Sequence, residues 1–382
     1  MVKRHFLKIL KLCYEYPPLG GGGGHVVYGL SKQLAAMGHH VDLVTMKYKG
    51  LPHFEQAENF SIRRVPCLRH SPVICHPHEL ISYLCTALPT ALKMTTETPY
   101  DIIHAHFIFP DGILAYLLSK ITGIPYLITS HGSDVPGFNP DRFIRLHKIL
   151  RPLWKRIVGS CSQVICITRY IETLLKQAMP EARTVIIPNG FFPGRFRTGK
   201  QKQDRILIVT RMFKRKGVQH FLAAVDGLVM NHEIHIVGDG PHLDTLKQQA
   251  EAMTTRVQFH GFLENSSAPF GDLMETSKIF VFPSESDNFP IVLLEAMDAG
   301  MAIITTKNTG CEEVVDNTAL LVSPGDTEGL RQALIKYLGD SLLCEQSVEK
   351  ARRRLDENFT WDAVAKKYVN IYDKVLKTNY SE

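Results

Sequence analysis

Two cations stand directly after an apolar run in the second half of the chain. Arg211 and Lys216 follow the predicted strand 205–210 in the segment VTRMFKRKG. Ligands of parallel α/β sheets bind beyond the carboxyl ends of the strands. Two cations at such a place could hold a diphosphate and stabilise its charge as it leaves, and one such contact is worth about 3–4 kcal/mol of barrier. A solvated basic turn before a helix is the alternative that the spacing leaves open.

An acidic loop that leads into a helix follows in FPSESDNFPIVLLEAMDAG, residues 282–300. The free backbone N–H groups at the start of such a helix can face an anion. Pro290 has no N–H and cannot donate. The expected donors are the amides of Asn288, Phe289 and Ile291. Asp287 precedes Glu295 by two helical turns, and Glu295 could accept hydrogen bonds from the hydroxyls of a ribose; an exposed acidic cap is the alternative.

Two glycine-rich segments also follow predicted strands. They are residues 20–24 and VGDGP at 237–241, which contains Gly238. A loop without side chains lets backbone N–H groups approach a phosphate, although a tight turn has the same composition. A nicotinamide dinucleotide site also needs an acidic residue at the end of the second strand. That strand ends in Val-Thr-Met at 44–46, so the sequence disfavours a nicotinamide oxidoreductase.

Histidines end two predicted strands of the first half. His106 closes DIIHAHF, and His131 follows the strand 126–130, three residues before Asp134. A histidine at a strand end is more often packed and hydrogen-bonded than catalytic, and the residues alone leave that choice open.

Strands and helices alternate throughout, which predicts parallel sheets covered by helices. The predicted strands are 6–13, 41–45, 101–104, 126–130, 164–168 and 184–187, then 205–210, 234–237, 257–260, 279–282 and 302–305. Helices are predicted at 26–37, 112–119, 218–228 and 361–376, the last after the N-cap Thr360. The Gly- and Pro-rich run 188–200 is the expected linker. The sequence therefore predicts an α/β protein of two Rossmann-like doubly wound domains, 1–190 and 191–360, followed by a terminal segment 361–382.

Composition narrows the class of protein further. The chain has 382 residues, of which 45% are hydrophobic, and a net charge of +6. This charge is too small to predict a nucleic-acid partner. The eight cysteines show no metal or redox spacing and are expected to be reduced and mostly buried. The N-terminal MVKRHFLKILKL is expected to form a strand and not a signal peptide, and no apolar run is long enough to span a membrane. The expected location is the cytoplasm.

The most basic amphipathic stretch is DRFIRLHKILRPLWKRIVG, residues 141–159. Pro152 is expected to break or kink a helix there. A helix that faces the core is one interpretation. A peripheral contact with an anionic membrane, or with a lipid-linked acceptor, is the other.

Eight motifs in one order give the chain a resemblance to glycosyltransferase family 4, a group of retaining enzymes with the two-domain GT-B fold. The motifs are GGGGGH, DIIHAHF, SHGSDV, IIPNG, VTRMFKRKG, VGDGP, FHGF and FPSESDNFPIVLLEAM. The resemblance covers almost the whole chain. It implies a cleft between an acceptor-binding first domain and a nucleotide-sugar-binding second domain, with the terminal helix crossing back to the first.

The resemblance also implies roles for individual residues. In the first domain, donor phosphates and sugar would meet Gly22, Gly23, Gly24 and His131, and the cleft would hold His106, Asp134 and Asn189. In the second domain, Arg211 and Lys216 would clamp the diphosphate, and Glu295 would bind the ribose. The sugar and phosphate would be held by Asp287 together with the amides of Asn288, Phe289 and Ile291. Gly238 and Phe262 would lie near the base.

One residue departs from the family pattern. The usual pair is Glu-x7-Glu, and here the first acid is Asp287, which is shorter by one methylene and would contact the sugar differently from a glutamate. The resemblance implies a reaction without metal or other cofactor, with the nucleotide sugar as co-substrate, and the lack of an Asp-x-Asp manganese motif in the chain agrees with it. A UDP-sugar is favoured over GDP-mannose, and the acceptor is a glycan, a lipid-linked sugar or a small molecule. A nucleotide-sugar epimerase of the same fold and a non-catalytic nucleotide-sugar binder are the alternatives.

Overall fold

The computed structural model describes residues 6–72, 74–138 and 144–379. The chain divides into two compact units. The first comprises residues 1–190 together with 361–382, and the second comprises residues 191–360. Each unit is built on its own sheet.

The first unit holds an eight-stranded sheet in the order β3-β4-β2-β1-β5-β6-β7-β8. Its strands are β1 (Lys8–Leu12), β2 (His40–Met46), β3 (Phe54–Ala57), β4 (Phe60–Val65), β5 (Ile102–His106), β6 (Tyr126–Ser130), β7 (Gln163–Cys166) and β8 (Thr184–Ile186). Neighbouring strands run parallel except β3, which pairs antiparallel with β4 at the edge. The hairpin β3–β4 was not predicted, because β3 has no buried residue and so no apolar pattern.

Helices cover both faces of this sheet. In chain order they are α1 (Gly22–Ala36), α2 (Pro77–Glu97), α3 (Asp111–Thr122), α4 (Ile144–Ser160) and α5 (Arg169–Ala178). Helix α1 begins four residues earlier than predicted, within the glycine run, so Gly22, Gly23 and Gly24 form its first turn and not a loop. The first turn of a helix keeps its N–H groups free, and glycine is therefore less costly there than in a helix interior.

The basic stretch 141–159 is described only in part, because 141–143 and the side chains up to 148 lie outside the described residues. Helix α4 runs through Pro152 without ending, so the predicted break is wrong. In the described part Trp154, Ile157 and Val158 are buried, while Lys155 and its charged neighbours are exposed. This half of the stretch is a core-facing helix with a solvated back.

The second unit holds a six-stranded parallel sheet in the order β11-β10-β9-β12-β13-β14. Its strands are β9 (Gln203–Val209), β10 (Glu233–Val237), β11 (Val257–Gly261), β12 (Ser277–Phe282), β13 (Ala302–Thr306) and β14 (Leu320–Val322). Its helices are α6 (Val218–Val225), α7 (Leu243–Glu251), α8 (Ala268–Thr276), α9 (Ile291–Ala299), α10 (Gly310–Val315), α11 (Thr327–Gly339) and α12 (Ser341–Asn358). A one-turn 3₁₀ helix, Lys214–Lys216, precedes α6.

The last helix, α13 (Trp361–Asn379), packs on the first unit. Its apolar stripe enters the core beside Ile9 of β1 and Leu30 of α1. The Trp361 indole fills the space that side chains at Gly29 and Gly190 would need, since an added Cβ would come within 2.2 and 2.4 Å of the ring. The terminal helix is thus part of the first unit's core.

All eight cysteines are free thiols, and four of them are buried. Within the described ranges of the chain, none of the helices combines the length and apolar character of a membrane span.

Candidate active site

In the second unit, the predicted site residues follow four neighbouring strands. Phe262 follows β11, Gly238 follows β10, Arg211 and Lys216 follow β9, and the 287–295 segment follows β12. These strands are adjacent in the order β11-β10-β9-β12. Their carboxyl ends therefore gather the predicted residues at one edge of the sheet.

Lys216 and Asp287 form an ion pair at this edge. The Nζ of Lys216 lies 2.5 Å from Oδ2 of Asp287, although 71 residues separate them. Lys216 is 7% exposed, and its Nζ also lies 5.4 Å from the centre of the Phe282 ring. The pair holds the acidic loop against the turn after β9, and it leaves two of the three ammonium protons for other acceptors.

Arg211 stands exposed beside this pair. Its guanidinium carbon lies 5.6 Å from the centre of the Phe213 ring, and Arg215 approaches the same ring at 5.7 Å. Among the described residues, no carboxylate lies within ion-pair distance of Arg211. A guanidinium without a protein counter-ion can bind an anionic ligand in the bidentate manner that phosphates favour.

The loop from Asp287 to Pro290 leads into α9. Asn288 and Phe289 are nearly buried, at 8% and 9% exposure. The Gly310 N–H donates to the Asp287 carbonyl at 2.9 Å, and a Cβ at Gly310 would lie 1.5 Å from the Asn288 carbonyl oxygen. This close approach fixes the loop, so that the first amides of α9, from Ile291 onward, stand at the sheet edge.

Glu295 is 9% exposed on α9. Burial raises the pKa of its carboxyl to about 7, and the positive charge of Arg195 only partly opposes this rise. The carboxylate of Glu295 has no hydrogen-bond or ion-pair partner among the residues that the structure describes. A nearly buried carboxylate without a partner is costly for the fold, and ligand hydroxyls would supply the missing hydrogen bonds.

Gly238 and Phe262 follow β10 and β11, which lie on the other side of β9 from β12. Gly238 has a φ of +135°, and a Cβ there would lie 1.8 Å from the Thr210 carbonyl oxygen. Glycine is therefore required for β10 and β9 to end so close together. Phe262 is 72% exposed, and such an exposed aromatic ring suits stacking on a base.

In the first unit, the strand-end histidines lie against each other. Nδ1 of His106 is 3.1 Å from Nε2 of His131, and the two rings stack with centroids 5.4 Å apart. Burial lowers the pKa of His131 to about 3 and lowers that of His106 well below its usual range. Both rings are neutral at pH 7, and each can donate one hydrogen bond and accept another.

The first turn of α1 lies beside His131. A Cβ at Gly23 would come within 2.5 Å of the Phe107 ring and 3.6 Å of the His131 ring, whereas one at Gly22 would meet nothing within 4 Å. Gly24 is buried against the backbone of Glu15. The structure thus brings Gly23 and His131 together.

Asp134 and Asn189 are both buried, at 5% exposure each. The carboxylate of Asp134 accepts hydrogen bonds from the Ile108 and Gly132 amides and from the Ser130 hydroxyl, at 2.7, 3.0 and 3.0 Å. Asp134 therefore fixes the backbone on both sides of His131. The side-chain oxygen of Asn189 has no hydrogen-bond partner among the described residues.

Sequence reasoning missed two residues of these clusters. Phe107 has a φ of +76°, which few non-glycine residues adopt, and its ring lies 4.6 Å from that of His131. In the second unit, the buried carboxylate of Asp298 accepts hydrogen bonds from the Gly194 and Phe196 amides, at 2.8 and 3.0 Å. No sequence signal marks the φ of Phe107. Asp298 could have been suspected because an aspartate stands in an apolar helix.

Comparison with known families gives these clusters a context. The profile of the family described as Glycosyltransferase Family 4 matches residues 20–195, and that of Glycosyl transferases group 1 matches 194–354. The chain belongs to glycosyltransferase family 4. The resemblance seen in the sequence motifs is thereby confirmed, and the protein is a glycosyltransferase.

Two curated relatives match over nearly their full length. N-acetyl-alpha-D-glucosaminyl L-malate synthase of Bacillus anthracis is 28% identical, over 97% of this chain and 98% of that enzyme. An uncharacterized glycosyltransferase of Methanocaldococcus jannaschii is 26% identical, over 96% of this chain and 98% of the relative.

Solved structures confirm the predicted GT-B fold. Sucrose-phosphate synthase from Thermosynechococcus elongatus superposes with a TM-score of 0.77 at 22% identity, over 97% of this chain and all of that one. The Anabaena protein HepE, in a structure that contains UDP, gives a TM-score of 0.73 at 16% identity, over 96% of this chain and all of that one.

Proposed function

We propose that this family 4 enzyme transfers a hexose-type sugar from a nucleotide diphosphate sugar to a glycan, lipid-linked or small-molecule acceptor, with retention of configuration and without a metal ion. The observation that carries the proposal is the charged edge of the second unit. There the Lys216–Asp287 pair, the unpaired Arg211 and the start of α9 follow the adjacent strands β9 and β12, and α9 carries the unpartnered carboxylate of Glu295. Cations and helix amides suit a diphosphate, and a carboxylate suits ribose hydroxyls.

In this proposal the chain replaces the metal with its own cations. The bond between the anomeric carbon and the leaving phosphate oxygen breaks, while the acceptor oxygen bonds to the same face of that carbon. The acceptor proton passes to the leaving phosphate. Arg211 and Lys216 would stabilise the charge that grows on the diphosphate, each by about 3–4 kcal/mol.

The first unit would contribute neutral hydrogen-bonding groups. The ring of His131 carries no charge at pH 7, so it suits a sugar hydroxyl better than a phosphate. Its contact with His106 holds the ring in place. Roles for Gly22–Gly24 and Asn189 near the sugar and acceptor remain part of the proposal.

A uridine nucleotide is the favoured donor. Structures of the Anabaena protein HepE contain UDP or UDP-glucose, and the Bacillus anthracis relative is named for an N-acetylglucosaminyl transfer. UDP-glucose and UDP-N-acetylglucosamine are therefore the first sugars to test, with GDP-mannose as the competing donor.

Contact with an anionic membrane through the basic helix α4 is a further proposal that a vesicle sedimentation assay would test.

Thermal stabilisation by nucleotides in the presence of EDTA tests the donor site. We expect UDP and its sugar conjugates to raise the melting temperature of the wild type, and Arg211→Ala and Glu295→Ala to lose this shift. Arg215→Ala is the matched control, because Arg215 contacts the same Phe213 ring from the same turn. A failure of UDP, GDP and ADP alike to shift the melting temperature would overturn the donor-site assignment. The anomeric configuration of the product, read by NMR and compared with that of the donor, tests retention.

A further inference from the structure

Imidazole and carboxylate groups converge where the segment after β4 enters α2. His70, His78 and Glu79 each place one potential metal-ligand atom within 4.8 Å of those of the other two. No other group of three such residues occurs in the described parts of the chain. The ring of His76 stacks on that of His78, with centroids 5.8 Å apart and an interplanar angle of 10°.

The Glu79 carboxylate is held in one orientation. Oε1 accepts a hydrogen bond from the backbone N–H of His70 at 2.8 Å, and Oε2 accepts one from that of His76 at 2.7 Å. The side chain is fully buried, and its two oxygens keep lone pairs for a further partner.

The ring of His70 already faces that carboxylate. Its Nδ1 lies 2.9 Å from Oε1 of Glu79, and its side chain is 72% exposed. Two ligands of a tetrahedral zinc ion stand about 3.3 Å apart when each lies about 2.0–2.1 Å from the metal. The His70–Glu79 contact is close to that spacing, so an ion can replace the shared proton with little movement.

We propose that His70, His78 and Glu79 bind a divalent transition-metal ion of the zinc class. Two imidazoles and a carboxylate form a set that zinc sites with one open position use. His78 is exposed, and rotation of its side chain can close the remaining gap to the ion. Water is the expected occupant of the fourth position.

The ion would link residues on either side of Pro72, which hydrogen bonds the glycine-rich run before α1. The carbonyl of Pro72, two residues from His70, accepts a hydrogen bond from the Gly20 N–H at 2.8 Å. Gly20 stands just before the first turn of α1. The inference concerns the order of this segment in the first unit. It is independent of the diphosphate clamp in the second unit and of the proposed transfer.

Cobalt binding to the full-length chain tests the inference. The protein is freed of metal with EDTA, dialysed and titrated with Co²⁺, and Zn²⁺ is then added as a competitor. We expect tetrahedral cobalt absorption that saturates at one equivalent per chain and is abolished by zinc. The absence of a thiolate-to-cobalt band would assign the fourth position to water.

Single variants separate this site from adventitious binding. His78→Ala should weaken cobalt binding by more than about 100-fold, since even the loss of an outer-shell partner costs about 10- to 100-fold. His53→Ala, which removes another exposed histidine of the same unit, should bind as the wild type does. The metal-free melting temperature of His78→Ala verifies that the variant folds. Unchanged cobalt affinity in His78→Ala, or no uptake by the wild type at equimolar Co²⁺, would overturn the proposal.

Discussion

The two units place polar groups at equivalent places, the carboxyl ends of adjacent parallel strands, but the groups differ in charge. In the first unit these ends carry His106 and His131, two stacked imidazoles whose pKa values burial has lowered. In the second they carry the Lys216–Asp287 ion pair, with the unpaired Arg211 beside it. The backbone topology thus sets where a ligand can bind, and the strand-end residues set which ligand chemistry fits.

In the proposed transfer, this difference would give the two edges separate tasks. Neutral imidazoles exchange hydrogen bonds with hydroxyls at little cost in desolvation, whereas cations and helix amides suit a diphosphate. The buried histidines of the first edge and the buried acid Glu295 of the second also respond to pH in opposite directions, because burial lowers the pKa of a base and raises that of an acid.

Loss of the buried cation should have the largest effect. Lys216→Ala removes the candidate diphosphate contact and leaves Asp287 without its partner. We expect turnover to fall about 10²–10³-fold, and the free energy of unfolding to fall by about 3 kcal/mol. Enzyme kinetics with the donor found by thermal shift, together with urea denaturation, measure the two effects.

Lys214→Ala is the control for this comparison, since Lys214 is exposed in the same turn. Equal losses in both variants would show that general positive charge, and not the buried pair, supports the reaction.

Glycine substitutions should distinguish a position where an added Cβ would meet backbone, in the second unit, from one where it would meet a side chain, in the first. Gly238→Ala places a Cβ 1.8 Å from a carbonyl oxygen of the neighbouring strand end, which cannot move without breaking the sheet edge. We expect a loss of about 3 kcal/mol in unfolding free energy. Gly23→Ala meets only the movable ring of Phe107, so its loss of stability should be smaller. Urea denaturation measures both.

Gly227→Ala controls for the positive φ alone. Gly227 has a φ of +68° and open space around its Cβ position, so its alanine variant should lose only about 1 kcal/mol. A Gly238 variant as stable as this control would contradict the requirement for close approach.

The acid hidden in the second unit should destabilise the protein as the pH rises. The folded pKa of Glu295, about 7, lies above the value of about 4.3 in an unfolded chain, so the folded state retains its proton while the unfolded state ionises. This cost grows between about pH 4.3 and 7 and persists above pH 7. Glu295→Gln should raise the free energy of unfolding by about 1–3 kcal/mol at pH 8 and weaken donor binding.

Urea denaturation at pH 8 and pH 4 checks this prediction. At pH 4 Glu295 is protonated in both states, so the gain from glutamine should vanish. A gain that is equal at the two pH values would instead indicate better packing.

The histidines of the first unit should give a pH dependence of the opposite sign. A histidine whose pKa falls on folding makes the folded state bind fewer protons than the unfolded state. The free energy of unfolding therefore decreases from about pH 6.5 down to the folded pKa, which is about 3 for His131. The slope is at most about 1.4 kcal/mol per pH unit for each histidine.

His131→Asn should reduce this acid slope, and His53→Ala, at an exposed position, should leave it unchanged. Stability curves from pH 7 to pH 4 measure the slopes. An acid slope in His131→Asn equal to that of the wild type would show that His131 is not buried as a neutral base.

Much of the secondary structure could be predicted from the sequence, because strand and helix periodicities are local. The strand 126–130 was predicted to the residue, and β12 and β13 to within two residues of each end. The start of α1 was misplaced because five successive glycines give no periodic signal. Helix α4 was expected to break or kink at Pro152, yet the helix continues through that residue, and Trp154 and Ile157 beyond it are buried.

By itself the sequence determined the family, the alternation of strands and helices, and which residues end the strands, since parallel strands gather their carboxyl ends at one edge. Only the tertiary structure decided that Lys216 meets Asp287 and that His106 stacks on His131. It also decided that Glu295 stands nearly buried without a partner. Contacts and protonation depend on atoms that distant parts of the chain bring close, and no local pattern of residues records them.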